Sequence, residues 1–177
     1  HAGTTPAAER RDALGAAARL IVAALDAGGD GLQSTASRIE VEPNATTTVP
    51  ALARLWLDAR APEAVRLDAW RRALDESAAG LGLPVELVLE SRSEGRELDP
   101  GLRARLVELS AELGQPAPEL DCYAGHDAGV LAARMPAAMV LVRNESGISH
   151  SPEERVELED AAVGVELLRR LVEEVAR

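Results

Sequence analysis

The chain carries only three histidines, and each sits in a polar, glycine-containing loop. His1 opens His1-Ala2-Gly3-Thr4-Thr5-Pro6. His126 lies in Ala124-Gly125-His126-Asp127-Ala128, and His150 in Gly147-Ile148-Ser149-His150-Ser151-Pro152-Glu153-Glu154. Imidazole is both a metal ligand and a proton carrier near neutral pH. A loop histidine taken alone is most often a surface residue, so its surroundings decide. His150 follows an apolar stretch and precedes a helix-start pattern, with Ser151 as N-cap, Pro152 in the first turn and Glu154 as capping-box acid. Ligand sites in open α/β sheets gather at the carboxyl ends of strands. The positive end of a helix disfavours imidazolium, leaving the neutral ring that metal binding requires. His126 shares this setting: a strand, a glycine loop, then Asp127 as N-cap. Spacing alone does not complete a metal site, which needs three or four ligands. No H-x-D motif is present to supply them.

Arg60 is the other candidate. Arg54, Trp56, Asp58 and Arg60 alternate with apolar Leu55, Leu57 and Ala59, so the guanidinium stands at a strand end on the polar face. A planar guanidinium there can hold a carboxylate through two hydrogen bonds. The competing role is an ordinary surface pair with Asp58.

Several elements must position these residues. Thr5-Pro6 predicts a helix start, and Leu14, Ala17, Ala18, Ile21 and Leu25 continue it at helical spacing until Gly28-Gly29. Residues 38–42 and 49–60 alternate as strands, separated by the turn signal Pro43-Asn44. A second amphipathic helix covers 65–81, and Val85, Leu87 and Leu89 mark another strand. A sheet with two helices on one face follows, close to a ferredoxin-like sandwich whose first strand would lie before His1. Residues 91–100 are polar and charged, which predicts a boundary between domains 1–94 and 95–177. Beyond it come a helix over 101–114, a short strand ending near Cys122, a short helix from Asp127, an apolar strand over 137–142, and a last helix over 152–176. Helices alternating with buried strands indicate part of an α/β layer.

Composition excludes several classes. The net charge of −11 repels phosphate backbones, so no nucleic-acid partner is expected. No apolar run reaches the roughly 18–20 residues that cross a bilayer, so no membrane partner is expected either. A single cysteine, Cys122, rules out an internal disulfide framework and accords with a cytoplasmic setting.

Taken in order, these motifs resemble the hydantoinase/carbamoylase branch of the dinuclear-zinc aminoacylase and carboxypeptidase superfamily. That branch includes N-carbamoyl-L-amino acid hydrolase, β-ureidopropionase and allantoate amidohydrolase. His1-Ala2-Gly3-Thr4-Thr5-Pro6 with Arg11-Asp12-Ala13-Leu14 looks like the start of the family's lid, or dimerisation, domain. Glu42-Pro43-Asn44-Ala45 and Leu57-Asp58-Ala59-Arg60 look like its central hairpin. Gly125-His126-Asp127-Ala128 and Gly147-Ile148-Ser149-His150-Ser151-Pro152 look like its two late active-site loops.

The resemblance implies roles residue by residue. His150 matches the last metal ligand. Gly125 and His126 match a loop that contacts substrate. Arg60 matches the arginine that grips the substrate carboxylate, with Asn44 and Thr47 in the substrate-binding turn. His1 matches a lid histidine that stabilises the oxyanion, and in this family lid residues serve the active site across a dimer. Two positions depart from the pattern. Thr47 stands where family members carry a second, amide-bearing asparagine. Cys122-Tyr123-Ala124-Gly125 replaces a small Ser-Gly-Ala-Gly loop, which brings a phenol toward the pocket.

The implied fold is a ferredoxin-like α+β lid followed by the C-terminal part of an α/β zinc-aminopeptidase-like catalytic domain. The implied cofactors are two divalent metal ions, zinc or alternatively manganese or cobalt, with one ligand from this chain. The implied partners are a small anionic ureido substrate, a second copy joined through the lid, and a missing N-terminal catalytic segment carrying the remaining ligands and a catalytic glutamate. The expected function is the C-terminal portion of an amidohydrolase that cleaves a ureido C–N bond and is inactive alone. The alternatives are a non-catalytic dimerisation module, or a fragment of a related aminoacylase or exopeptidase.

Overall fold

The computed structural model describes residues 1–29 and 31–176; Arg177, the end of the second expected domain, lies outside the described residues. The chain divides into two compact units, His1–Glu94 and Gly95–Arg177.

In the first unit, α1 (Ala13–Asp26) leads into β1 (Gln33–Glu42), β2 (Leu52–Arg60) and α2 (Ala64–Ala79). The helix expected from Thr5-Pro6 begins later. Residues 7–9 form a single 3-10 turn, Arg10 is extended, and Asp12 caps α1 by accepting the Gly15 N–H at 2.9 Å. Aspartate is among the strongest N-caps, whereas the Thr5 carbonyl is drawn into the preceding turn by Arg10. Past the C-cap Ala27 the Gly28 N–H donates to the Leu25 carbonyl at 3.1 Å, in a turn where a Cβ would stand 2.9 Å from that oxygen.

The strands pair antiparallel, with Ile39 opposite Leu55, Val41 opposite Ala53 and Ala36 opposite Leu57. A bulge at Ser37 breaks the register between Ala36 and Arg38. Strict alternation would send Ala36 and Ile39 to opposite faces; the extra residue keeps both with the apolar side chains of β2. Helix α1 packs on both strands and on α2. Its buried Ala16, Ala17 and Ala24 are small enough for close approach, and Leu20 with Leu74 of α2 fills this core. Trp70 of α2 ties the layers together: its indole N–H donates to the Ala24 carbonyl at 2.9 Å and to the Ser34 hydroxyl at 3.1 Å. On the opposite face Arg38 stacks on Trp56, 4.4 Å from the ring centre.

In the second unit, α3 (Pro100–Glu112) and α5 (Leu158–Val175) pack around buried Leu109, Leu167 and Leu171; a short α4 spans Asp127–Leu131. Asp99 caps α3, accepting the Leu102 N–H at 2.8 Å, with Pro100 in the first turn. Gly164 lets α5 close on Val142: a Cβ there would lie 2.9 Å from the valine methyl.

The mixed α/β class and the lid-like first unit stand as expected, yet only β1 and β2 form a ladder among the described residues. The expected strands over 85–89, before Cys122 and over 137–142 make no ladder. A strand is defined by its neighbour's hydrogen bonds, and apolar sequence cannot supply the neighbour. The last helix also starts later than expected, at Leu158 rather than Pro152.

Candidate functional site

Three of the sequence-derived site residues gather at one end of the first unit. The His1–Thr5 segment turns back on itself, with the Thr5 N–H donating to the His1 carbonyl at 3.1 Å. The segment then meets the β1–β2 connection: the Ala2 N–H donates to the Thr47 carbonyl at 2.9 Å. His1 and Thr47 are thereby neighbours, and Asn44 lies in the same connection. All three are exposed. The His1 ring is oriented by its own turn, since Nδ1 accepts the Gly3 N–H at 3.1 Å. A neutral imidazole that accepts at Nδ1 carries its proton at Nε2, so His1 offers an exposed N–H donor.

Arg60 is not part of this cluster. It ends β2, opposite Gln33, while the connection holding Asn44 and Thr47 precedes Leu52. The nine residues of β2 extend roughly 30 Å at about 3.3 Å per residue. The guanidinium donates from Nε (2.9 Å) and Nη2 (2.7 Å) to one carboxylate oxygen of Asp58. Both side chains remain about half exposed, at 46% and 48%.

In the second unit, His126 rather than Asp127 caps α4: its Nδ1 accepts the Ala128 N–H at 3.1 Å. Its neutral ring therefore also carries the proton on Nε2, which suits a substrate-facing donor and removes that nitrogen as a metal ligand. Gly125 before it is exposed and meets no neighbouring atom at a Cβ position, so the loop leaves space beside the ring.

His150 differs from both. Its backbone has φ 59° and is the one non-glycine residue in the left-handed region among the described residues. Residues in that region are held there by their surroundings and cluster at functional sites. Here the holding contact is the Glu154 carboxylate, which accepts the His150 N–H at 2.9 Å. The expected capping box with Ser151 as N-cap does not form: the Glu154 carboxylate takes the N–H of His150 rather than that of Ser151, the Ser151 hydroxyl turns to Glu153, and the segment closes a turn because α5 begins only at Leu158. The helix end therefore does not act on the ring. Ser151–Glu154 form their own turn, with the Ser151 hydroxyl bonded to the Glu153 carboxylate, which holds that carboxyl below its ordinary range. Neither ring nitrogen of His150 has a hydrogen-bond partner among the described residues, so either can bind a metal.

The described residues do not compose a metal centre by themselves, since no three His, Cys, Asp or Glu side chains come together among them. Sequence reasoning marks the three histidines but not which ring nitrogen each local N–H occupies. It also missed Arg10, whose guanidinium spans the His1 turn; no periodicity or motif marks that residue. No helix among the described residues is long and apolar enough to cross a membrane.

The chain belongs to peptidase family M20/M25/M40, whose model matches residues 3–174. It is similar to the allantoate amidohydrolase of Escherichia coli, at 30% identity over 99% of this chain and 44% of that protein. It is similar to the N-carbamoyl-L-amino acid amidohydrolase of Geobacillus stearothermophilus, at 34% identity over 100% of this chain and 45% of that protein. Among solved structures it matches a hydantoinase/carbamoylase family amidase from Burkholderia vietnamiensis with a TM-score of 0.89, at 29% identity, over 97% of this chain and 43% of the other. These matches lie in the hydantoinase/carbamoylase branch, as the sequence motifs implied. The chain spans less than half the length of the relatives it matches.

Proposed function

We propose that this chain is the C-terminal portion of a metal-dependent amidohydrolase acting on the ureido C–N bond of N-carbamoyl amino acids or allantoate, and that it is inactive alone. The observation that carries this reading is the contrast among the histidines. His1 and His126 each spend Nδ1 on a backbone N–H and present Nε2–H, whereas both ring nitrogens of His150 are open. Donors suit a carbonyl oxygen that becomes an oxyanion; an open ring suits a metal. Enzymes of this family are generally dinuclear-metal dependent. His150 would give one ligand, and the remainder would come from outside these residues. A cytoplasmic setting accords with the exposed free thiol of Cys122.

The spread of the first-unit residues supports a dimer. An N-carbamoyl amino acid is about two residues long, roughly 7 Å, so His1 and Thr47 cannot reach a substrate held by Arg60 of the same copy. A two-fold contact along a free strand edge would run two hairpins antiparallel and set Arg60 of one beside the turn of the other.

Turnover tests the reading. Ammonia release from N-carbamoyl amino acids and from allantoate should be absent with this chain alone and present when it is joined to the rest of such an enzyme. Zinc titration of the chain alone should show weak binding. Tight stoichiometric zinc, or turnover by the chain alone, would contradict the proposal.

A further inference from the structure

We propose that Arg10 is the positioning residue for His1, fixing which nitrogen of that imidazole is presented. The inference rests on the reading of His1 as an oxyanion donor. The His1–Thr5 turn has little to hold it: its own backbone bonds are Thr5 N–H to the His1 carbonyl at 3.1 Å and Thr4 N–H to the same oxygen at 3.4 Å. Backbone bonds in so short an exposed turn compete with water and contribute little net stability.

The half-buried guanidinium of Arg10 supplies the missing hold. Nε donates to the Thr5 carbonyl at 2.9 Å, and Nη2 donates to the Ala2 carbonyl. These acceptors flank Gly3-Thr4, so the planar fork bridges the turn, which a lysine ammonium cannot do with the same fixed spacing. Arg10 makes no ion pair among the described residues; its charge is directed at the two carbonyls. Its backbone is anchored as well, with its N–H on the Ala7 carbonyl at 3.3 Å, two residues before the Asp12 cap of α1.

The grip has two consequences for His1. With the Ala2 carbonyl taken by Arg10, the Ala2 N–H reaches the Thr47 carbonyl at 2.9 Å, which docks the turn on the hairpin. The Gly3 N–H reaches His1 Nδ1 at 3.1 Å, which places the ring proton on Nε2. The ring lies so close over the turn that a Cβ at Gly3 would stand 3.3 Å from His1 Cε1.

The test reads the ring directly. In the chain labelled with ¹⁵N-histidine, long-range proton–nitrogen correlation at a pH where all rings are neutral should show His1 as the Nε2–H form, with contacts between Ala2 and Thr47. In Arg10→Ala and Arg10→Lys the separation between the two His1 nitrogen shifts should narrow toward an ordinary tautomer mixture and the Ala2–Thr47 contacts should disappear. His126, capping α4 in the second unit, should keep its Nε2–H signature, and His150 should not move. Unchanged His1 signals in Arg10→Lys, or equal changes at all three histidines, would overturn the proposal. The two readings fail separately: full kcat in a complete enzyme carrying His1→Ala would remove the oxyanion role and leave the grip of Arg10 intact.

Discussion

Replacing Arg60 by alanine separates its two possible roles by magnitude. Both of its bonds to Asp58 end on the same oxygen, at 2.9 and 2.7 Å, and the two side chains are 46% and 48% exposed. A pair that exposed contributes about 0–1 kcal/mol. Loss of the Asp58 pair should therefore shift the melting temperature of the first unit by no more than about 4–8 °C. Substrate binding is another matter. A guanidinium–carboxylate contact carries about 1.5–3 kcal/mol when one partner is removed. In a complete enzyme the loss should be roughly 10- to 150-fold in kcat/KM, mostly through KM. Arg60→Lys keeps the charge but not the fork and should fall between. Asp58→Asn weakens the Asp58 contact on the guanidinium and should leave KM unchanged or lower. Thermal melts on the chain and steady-state kinetics on the complete enzyme measure the two effects. A variant that loses several kcal/mol of stability while keeping its KM would show that Arg60 is a structural residue and refute the carboxylate role.

Gly164→Ala should destabilise the second unit by about 1 kcal/mol net, the crowding against Val142 outweighing the gain in helix propensity. Adding Val142→Ala should restore the loss in urea unfolding, and stabilisation by Gly164→Ala alone would show that no crowding exists. Glu166, bonded first to Arg169 and then to Arg170, has its carboxyl held down to about 2. The folded value lies below the unfolded one, so its contribution is present above the ordinary carboxylate range and is lost as pH falls toward about 2. The groups are exposed, so the effect should be small and weaken with salt. Glu166→Gln should be less stable than the parent at neutral pH and converge with it at low pH; a constant gap down to that pH would contradict the assignment.

The parts of this fold legible in sequence are those whose periodicity is local. Leu55, Leu57 and Ala59 alternate without interruption, and β2 was found to its last residue. Its partner was found only over 38–42, because the bulge at Ser37 breaks the alternation and Gln33–Ser37 is mostly polar. The first helix was placed too early: Thr5-Pro6 has the chemistry of a helix start, but Arg10 draws the Thr5 carbonyl into the His1 turn and Asp12 caps the helix instead. Ser151-Pro152 misled in the same way, since the Glu154 carboxylate closes a turn on His150. Residues 137–142 are as apolar as a buried strand should be, yet pairing is a property of two segments and no other described segment pairs with this one. At the candidate site, residue types were readable and tautomers were not. Which imidazole nitrogen is available depends on the N–H groups of Gly3 and Ala128, set by turn geometry that no spacing rule encodes.

The claim on which the function rests most heavily is that His1 with Thr47, and Arg60, serve one substrate only across two copies. Mixing His1→Ala and Arg60→Ala forms of a complete enzyme, each strongly impaired alone at substrate well below the parent KM, measures this directly. Random pairing makes half of the dimers mixed. If the residues act across copies, each mixed dimer has one intact site and one doubly damaged site, and about a quarter of the parent turnover returns. If both residues serve the site of their own copy, every site in the mixture carries one lesion, no activity returns, and the shared-site account is wrong.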